Sequence, residues 1–170
     1  MGGLREASEI AETLGENAQA TAYAEAADAI QWGICSELVH PELGLLGNLE
    51  EEPEWATDLA AVDAFNNGTM DARSDIALNS YANWEEKLSV PTGHGFKRND
   101  DGDLYDEQEW VMVDLRLAEA YRRGCEPDKA NAIERWLTDR AIANHLILPE
   151  LLDPDTAVYA GPAPMLGFGS

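Results

Sequence analysis

The stretch QEWVMVDLRLAEAYRR, residues 108–123, is the most telling segment of the chain. Trp110, Val113, Leu117 and Tyr121 recur at helical spacing and share one face, while Val111, Leu115 and Ala118 populate another. A helix that is apolar on more than one side belongs on the inside of a helical assembly. Gly124 stops it, and Pro127 stands where a first-turn proline belongs. Ala130, Ile133, Trp136, Leu137, Ala141 and Ile142 then carry a second helix to His145. The short connection makes these two segments an antiparallel hairpin.

Toward the N-terminus, residues Leu4 to Leu38 also read as helix, broken near Gly15-Glu16-Asn17, with Tyr23, Ala26, Ala27, Ile30, Ile34 and Leu38 on one face. His40-Pro41 ends that helix, and Pro41 to Pro53 reads as a connection with a short extended piece at Leu45-Leu46. A short helix is predicted from about Glu54 to Phe65, stopped by Asn66-Asn67-Gly68, and a further one from Asp71 to Leu88. The stretch Ser89 to Glu107 is nineteen residues of Gly, Asp, Asn and Pro with single aromatics. A loop of that length inside a compact domain is more often functional than decorative. No strand alternation supports a sheet, so the expected class is all-α, with residues 1–170 forming a single helical domain.

The charge excludes whole classes of function. Acidic residues number 33 against 11 basic ones, a formal charge of −22. Affinity for phosphate backbones comes from Lys and Arg, so nucleic acid is excluded as a partner, and an anionic membrane surface is excluded on the same ground. The hydrophobic fraction of 45% separates the chain from acidic disordered tails. Only Lys87, Lys97 and Lys129 are lysines, and the carboxylates are spread along the whole chain. That balance resembles proteins of salt-loving archaea, whose carboxylate surfaces are screened by molar salt. It predicts salt-dependent folding, because the Debye length shrinks from about 10 Å at 0.1 M to about 3 Å at 1 M. Circular dichroism should show a higher thermal midpoint in molar potassium chloride than in dilute buffer; equal midpoints would remove the salt-adapted reading.

Cys35 and Cys125 lack metal or disulfide spacing and are expected as buried or half-buried free thiols. The N-terminus has no apolar run of a secretory signal, and no segment approaches the length of a membrane helix, so a cytoplasmic location is expected. Asn99-Asp100-Asp101-Gly102-Asp103 suggests calcium at first sight, but its glycine falls in the wrong place for an EF-hand loop, and it reads as a polar turn. LAEAYRRG followed by KANAIERWL looks somewhat like a tetratricopeptide repeat. The pattern does not recur about 34 residues away, so a repeat scaffold is the runner-up.

The order of elements in the C-terminal half carries more. GHGFKRNDDGDLYDEQEW (93–110) leads into WVMVDLRLAEAYRRG (110–124); KANAIERWLTDRAIANH (129–145) then runs into LILPELL (146–152) and YAGPAPMLGFGS (159–170). This resembles the C-terminal half of the catalytic domain of glycoside hydrolase family 15, the glucoamylases and glucodextranases, which are (α/α)6 barrels. Lys97-Arg98, Asp103-Leu104-Tyr105 and Trp110 stand in the family's loop positions, Leu148-Pro149-Glu150 at its Leu-Pro-Glu motif, and Pro164 to Ser170 at its closing sequence. Asn99 stands where the family has an aromatic, and Phe168 where it often has Trp. The resemblance is specific over Gly93 to Ser170 and loose before it.

The resemblance implies inverting hydrolysis of α-linked glucans or glucosides with no cofactor and no metal. Such a reaction needs one carboxyl to protonate the leaving oxygen and one to activate water, about 6.5–9.5 Å apart. By resemblance Glu150 is the general base. Arg98, Asp103, Tyr105 and Trp110 offer the aromatic plate and charged hydrogen-bond partners that a sugar requires, although Trp110 also reads as core and Arg98 as an ion-pair partner. The family's general acid lies in a Trp-Glu-Glu motif that Trp84-Glu85-Glu86 imitates, but these residues lie too close to Glu150 and read as core (Trp84) and surface (Glu85, Glu86). Five or six helices are fewer than the twelve of a complete barrel, so the expected partners are an oligosaccharide or glucoside substrate and either a missing barrel half or a second copy. The competing expectation is a non-catalytic helical scaffold.

Overall fold

The computed structural model describes residues 2–47, 57–102 and 106–160. Its helices are α1 (Gly2–Thr13), α2 (Asn17–Glu37), α3 (Asp63–Asn66), α4 (Asp75–Lys87), α5 (Val111–Arg123) and α6 (Pro127–Ala143), with a 3-10 turn at Leu59–Val62. The chain is all-α in class, and α1 with α2, and α5 with α6, form antiparallel hairpins. Among the described residues no helix is long and apolar enough to cross a membrane.

Side-chain caps move two boundaries from where periodicity put them. Asp71 Oδ1 accepts the Arg73 amide at 2.9 Å and closes a turn, so α4 starts only after Ser74, whose hydroxyl accepts from Ala77 N. The helix expected from about Glu54 is not helical at Thr57 and Asp58, and its first residues lie outside the described ones. Asp58 is extended, pairs with Asn99 as an isolated bridge, and caps the 3-10 turn through Ala60 N at 2.8 Å. At the other end of the core, Gly124 owes its place to packing. A Cβ there would lie 2.9 Å from the Ala72 carbonyl, and the left-handed turn residue is the next one, Cys125, at φ 64°.

The core gathers around α5. Val111, Val113, Leu117, Ala118, Ala120 and Tyr121 are buried along it, as an inner helix requires, although Leu115 on its second face remains 36% exposed. Phe65, Tyr81, Trp84 and Tyr121 form an aromatic cluster with ring centroids 5.2–6.2 Å apart. The Tyr81 hydroxyl lies within reach of the carbonyls of Ala72 at 3.2 Å and Ala120 at 3.3 Å, which ties α4 to both neighbours.

Two expectations are corrected. Both cysteines are free and exposed instead of buried, Cys35 on the open side of α2 and Cys125 in the turn after α5. A sheet is present in miniature: β1 (Glu109–Trp110) pairs antiparallel with β2 (Leu151–Leu152). A ladder of two residues per strand has no room for alternation, which is why periodicity could not reveal it.

Three proline hairpins follow α2, α4 and α6. Their bridges, Val39↔Leu46, Ser89↔Phe96 and Leu152↔Tyr159, each span seven residues and each has a proline two residues in: Pro41, Pro91 and Pro154. The backbone bonds match as well. His40, Val90 and Asp153 donate to the carbonyls of Leu45, Gly95 and Val158, and Gly47, Lys97 and Ala160 donate back to Leu38, Leu88 and Leu151. The long connections are also joined to one another. Leu59 N donates to Arg98 O at 2.7 Å, Thr57 N to Asp100 Oδ1 at 3.2 Å, Thr92 N to Pro154 O at 3.4 Å and Val111 N to Glu150 O at 3.2 Å.

Candidate active site

The joined connections place Glu150. It immediately precedes β2, its carbonyl accepts the first amide of α5, and the residue is only 8% exposed. The pairing of Trp110 with Leu151 sets the Glu150 backbone beside Val111, one residue on from Trp110, with its side chain on the face opposite to that of Trp110. Tyr159, returning in the third hairpin, feels its charge: burial and the Glu150 carboxylate together push the phenol's pKa up. A cleft of about 250 Å³ opens beside this turn, lined among others by Arg140, Asn144, Pro149, Leu152 and Tyr159.

Arg98 and Trp110 come together directly. The guanidinium carbon lies 5.7 Å from the Trp110 ring centre and one guanidinium nitrogen 3.7 Å from an Asp106 oxygen, so the cation is held by an aromatic face and a carboxylate at once. Trp110 is 6% exposed and serves as a wall under Arg98 with little open face of its own. Lys97 beside it is ion-paired to Glu107. Asp103 and Tyr105 lie outside the described residues, as does the closing sequence Pro164 to Ser170. In the polar turn that precedes Asp103, Asn99 Oδ1 accepts the Asp101 amide.

Glu85 and Glu86 are separated from this site by their partners. Glu85 accepts from the Tyr121 hydroxyl at 2.7 Å and from Lys129 Nζ at 2.6 Å, near the end of α5 remote from Glu150, and Glu86 is exposed. Trp84 is fully buried core.

Reading the residues for sugar chemistry missed a second carboxyl pair. Glu109 and Asp114 are both 0% exposed. Glu109 Oε1 accepts from Trp136 Nε1 at 2.6 Å, and Asp114 Oδ1 accepts from Phe96 N at 2.9 Å. Burial raises the pKa of both, and for Asp114 the neighbouring Glu109 raises it further, well above the ordinary range. Trp136 lies between His94, stacked at 4.6 Å, and Arg140, 4.5 Å from its ring centre. A signal was available: Asp114 sits in the apolar run VMVDLRLA, between Val113 and Leu117 on the buried side of the helix.

No protein-family model matches the chain, and no curated protein sequence does. Among solved structures the chain is similar to a glycosidase variant, at 22% identity and a TM-score of 0.66, over 78% of this chain and 34% of that one. It is similar to a wild-type glycosidase at 21% identity and a TM-score of 0.65, with the same coverage. The chain therefore spans about a third of the length of these structures. At such identity the likeness is one of fold: the helical hairpins are those of a part of a larger glycosidase fold.

Proposed function

We propose that this chain is a glucoamylase-like segment of glycoside hydrolase family 15, acting on α-linked glucans or glucosides by inversion, from a salt-adapted cytoplasm. The observation that carries the reading is the placement of Glu150, a mostly buried residue in a turn whose neighbours Pro149 and Leu152 line a cleft and whose backbone lies next to that of Trp110 in the β1–β2 ladder, on a fold shared with glycosidases. In this reading Glu150 takes a proton from the attacking water. Arg98 supplies N–H donors to sugar hydroxyls, Trp110 holds the guanidinium in place, and Asp103 and Tyr105 complete the contacts from the adjoining loop. No cofactor is needed, because the chemistry is proton transfer between carboxyls and water. Glu85 is engaged elsewhere, so the general acid comes from a further barrel segment or a second copy, and that is the partner this reading requires.

Sugar binding tests the reading without requiring turnover. Titration of maltose and isomaltose into the folded chain in molar potassium chloride is expected to give saturable heat, and Arg98→Ala is expected to weaken binding by about tenfold or more, since charge-assisted hydrogen bonds contribute about 1.5–3 kcal/mol. A folded chain that binds neither sugar would leave the helical scaffold as the better account.

A further inference from the structure

Glu109 and Asp114 have no part in the hydrolytic reading, yet they are the most deeply buried carboxyls described. Two ionised carboxylates side by side without water are prohibitively costly, so the pair must be neutralised in part. Their four oxygens can be accounted for. Glu109 Oε1 takes the Trp136 indole N–H and Asp114 Oδ1 takes the Phe96 amide. Among the described residues, Glu109 Oε2 and Asp114 Oδ2 are buried without a donor, and the two carboxyls meet the same piece of backbone: Asp114 holds the Phe96 amide, and Glu109 fills the space a Cβ at Gly95 would need. Two such acceptors can satisfy each other only if one carries a proton.

We propose that Glu109 and Asp114 share one proton at neutral pH, and that this pair acts as a latch positioning the Arg98–Trp110 side of the site through Phe96. The geometry converges on Phe96. Its amide is held by Asp114, its carbonyl accepts the Trp110 amide at 2.9 Å, and the next residue, Lys97, donates to Leu88 O just before Arg98. The hairpin backbone lies directly on the pair, for a Cβ at Gly95 would collide with the Glu109 carboxyl. Any side chain there would force the hairpin or the Glu109 carboxyl to move. The surrounding charges bias the shared proton toward Asp114. Glu109 has the indole donor and faces two basic groups, His94 from the hairpin and Arg140 from α6, whereas the charged group facing Asp114 is Glu109 itself. The proton sharing stands whether or not the chain binds sugar; its bearing on Arg98 as a sugar contact rests on the reading above.

The consequence for pH has a definite sign. A carboxyl whose folded pKa is raised keeps a proton that the unfolded chain has lost, so stability falls as pH rises above the ordinary Asp value until Asp114 itself ionises in the folded state. One such proton changes the unfolding equilibrium about tenfold per pH unit, or about a hundredfold from pH 5 to 7. Asp114→Asn keeps the oxygen for Phe96 and supplies a permanent N–H to Glu109, so it should remove this contribution. Glu109→Gln should weaken it: the neighbouring carboxylate is gone and the amide can donate to Asp114, so its pKa comes down, while burial still holds it up.

Urea unfolding in molar potassium chloride at pH 5 and 7 compares the three chains. The wild type should lose about a hundredfold relative to Asp114→Asn over that interval; parallel behaviour of the two would overturn the shared proton. Carbon-13 carboxyl resonances of the wild-type chain decide the matter without any variant, since one Asp signal should remain at its protonated position at pH 7, and a fully ionised set would refute the proposal. As that signal titrates, the backbone amides of Phe96 and Arg98 should shift with the same midpoint. Amides that stay fixed while the carboxyl titrates would overturn the positioning role.

Discussion

Glu150→Gln is expected to lower hydrolysis of maltose or isomaltose by about 10²–10⁴-fold in a form of the protein that carries a general acid, the usual contribution of a positioned acid–base group. The amide has the shape of the carboxyl and fits the same mostly buried position before β2, so the fold and sugar affinity should be kept. What it lacks is the ability to take a proton from water. Because inversion divides proton donation and water activation between two carboxyls, the 170-residue chain assayed alone should be nearly inactive, and the comparison belongs in a mixture or longer form that restores turnover. The first-formed sugar should be the β-anomer of an α-linked substrate. Undiminished turnover in the Gln variant would remove Glu150 as the base, and initial release of the α-anomer would exclude inversion.

Trp84→Ala is expected to cost about 3–5 kcal/mol, the range for removing a large aromatic from a packed core. Trp84 is 0% exposed and packs against Phe65 at 6.2 Å and Tyr81 at 6.1 Å, so its loss opens a cavity where α3, α4 and α5 meet. A protein of ordinary stability has about 5–15 kcal/mol to lose, and a chain with this charge should be near the low end in dilute buffer. Trp84→Phe makes the informative partner. Among the described residues Trp84 Nε1 is buried without a hydrogen-bond partner, so the smaller ring forfeits volume but no polar contact there, and its cost should be clearly lower. Urea denaturation of both variants in molar salt checks this; an Ala variant within about 1 kcal/mol of the parent would show that the site collapses around the loss.

Helical spacing alone was enough to place α6, the body of α5 and the break between α1 and α2, because each carries an apolar repeat and a Gly or Pro stop. However, α5 starts at Val111 instead of Gln108, since Glu109 and Trp110 pair in β1. The same local logic put Trp84 in the core and Glu86 on the surface, whereas Glu150 was marked only by the resemblance of its Leu-Pro-Glu turn. Where short-range bonds compete with periodicity, as at Asp71 and Asp58, the boundaries moved by several residues. The β1–β2 ladder, the matched proline hairpins and the Glu109–Asp114 pair depend instead on partners far along the chain. Phe96 and Trp136 supply the donors that make two buried carboxyls tolerable, and they lie 18 residues before Asp114 and 27 residues after Glu109. The three hairpins share one proline and a backbone pattern, while their other side chains differ, so the likeness lies in hydrogen bonds between main-chain groups. A polar residue in an apolar run is a visible oddity in the sequence; whether it is a surface interruption or the centre of a buried network is settled by what the folded chain brings within hydrogen-bonding distance of it.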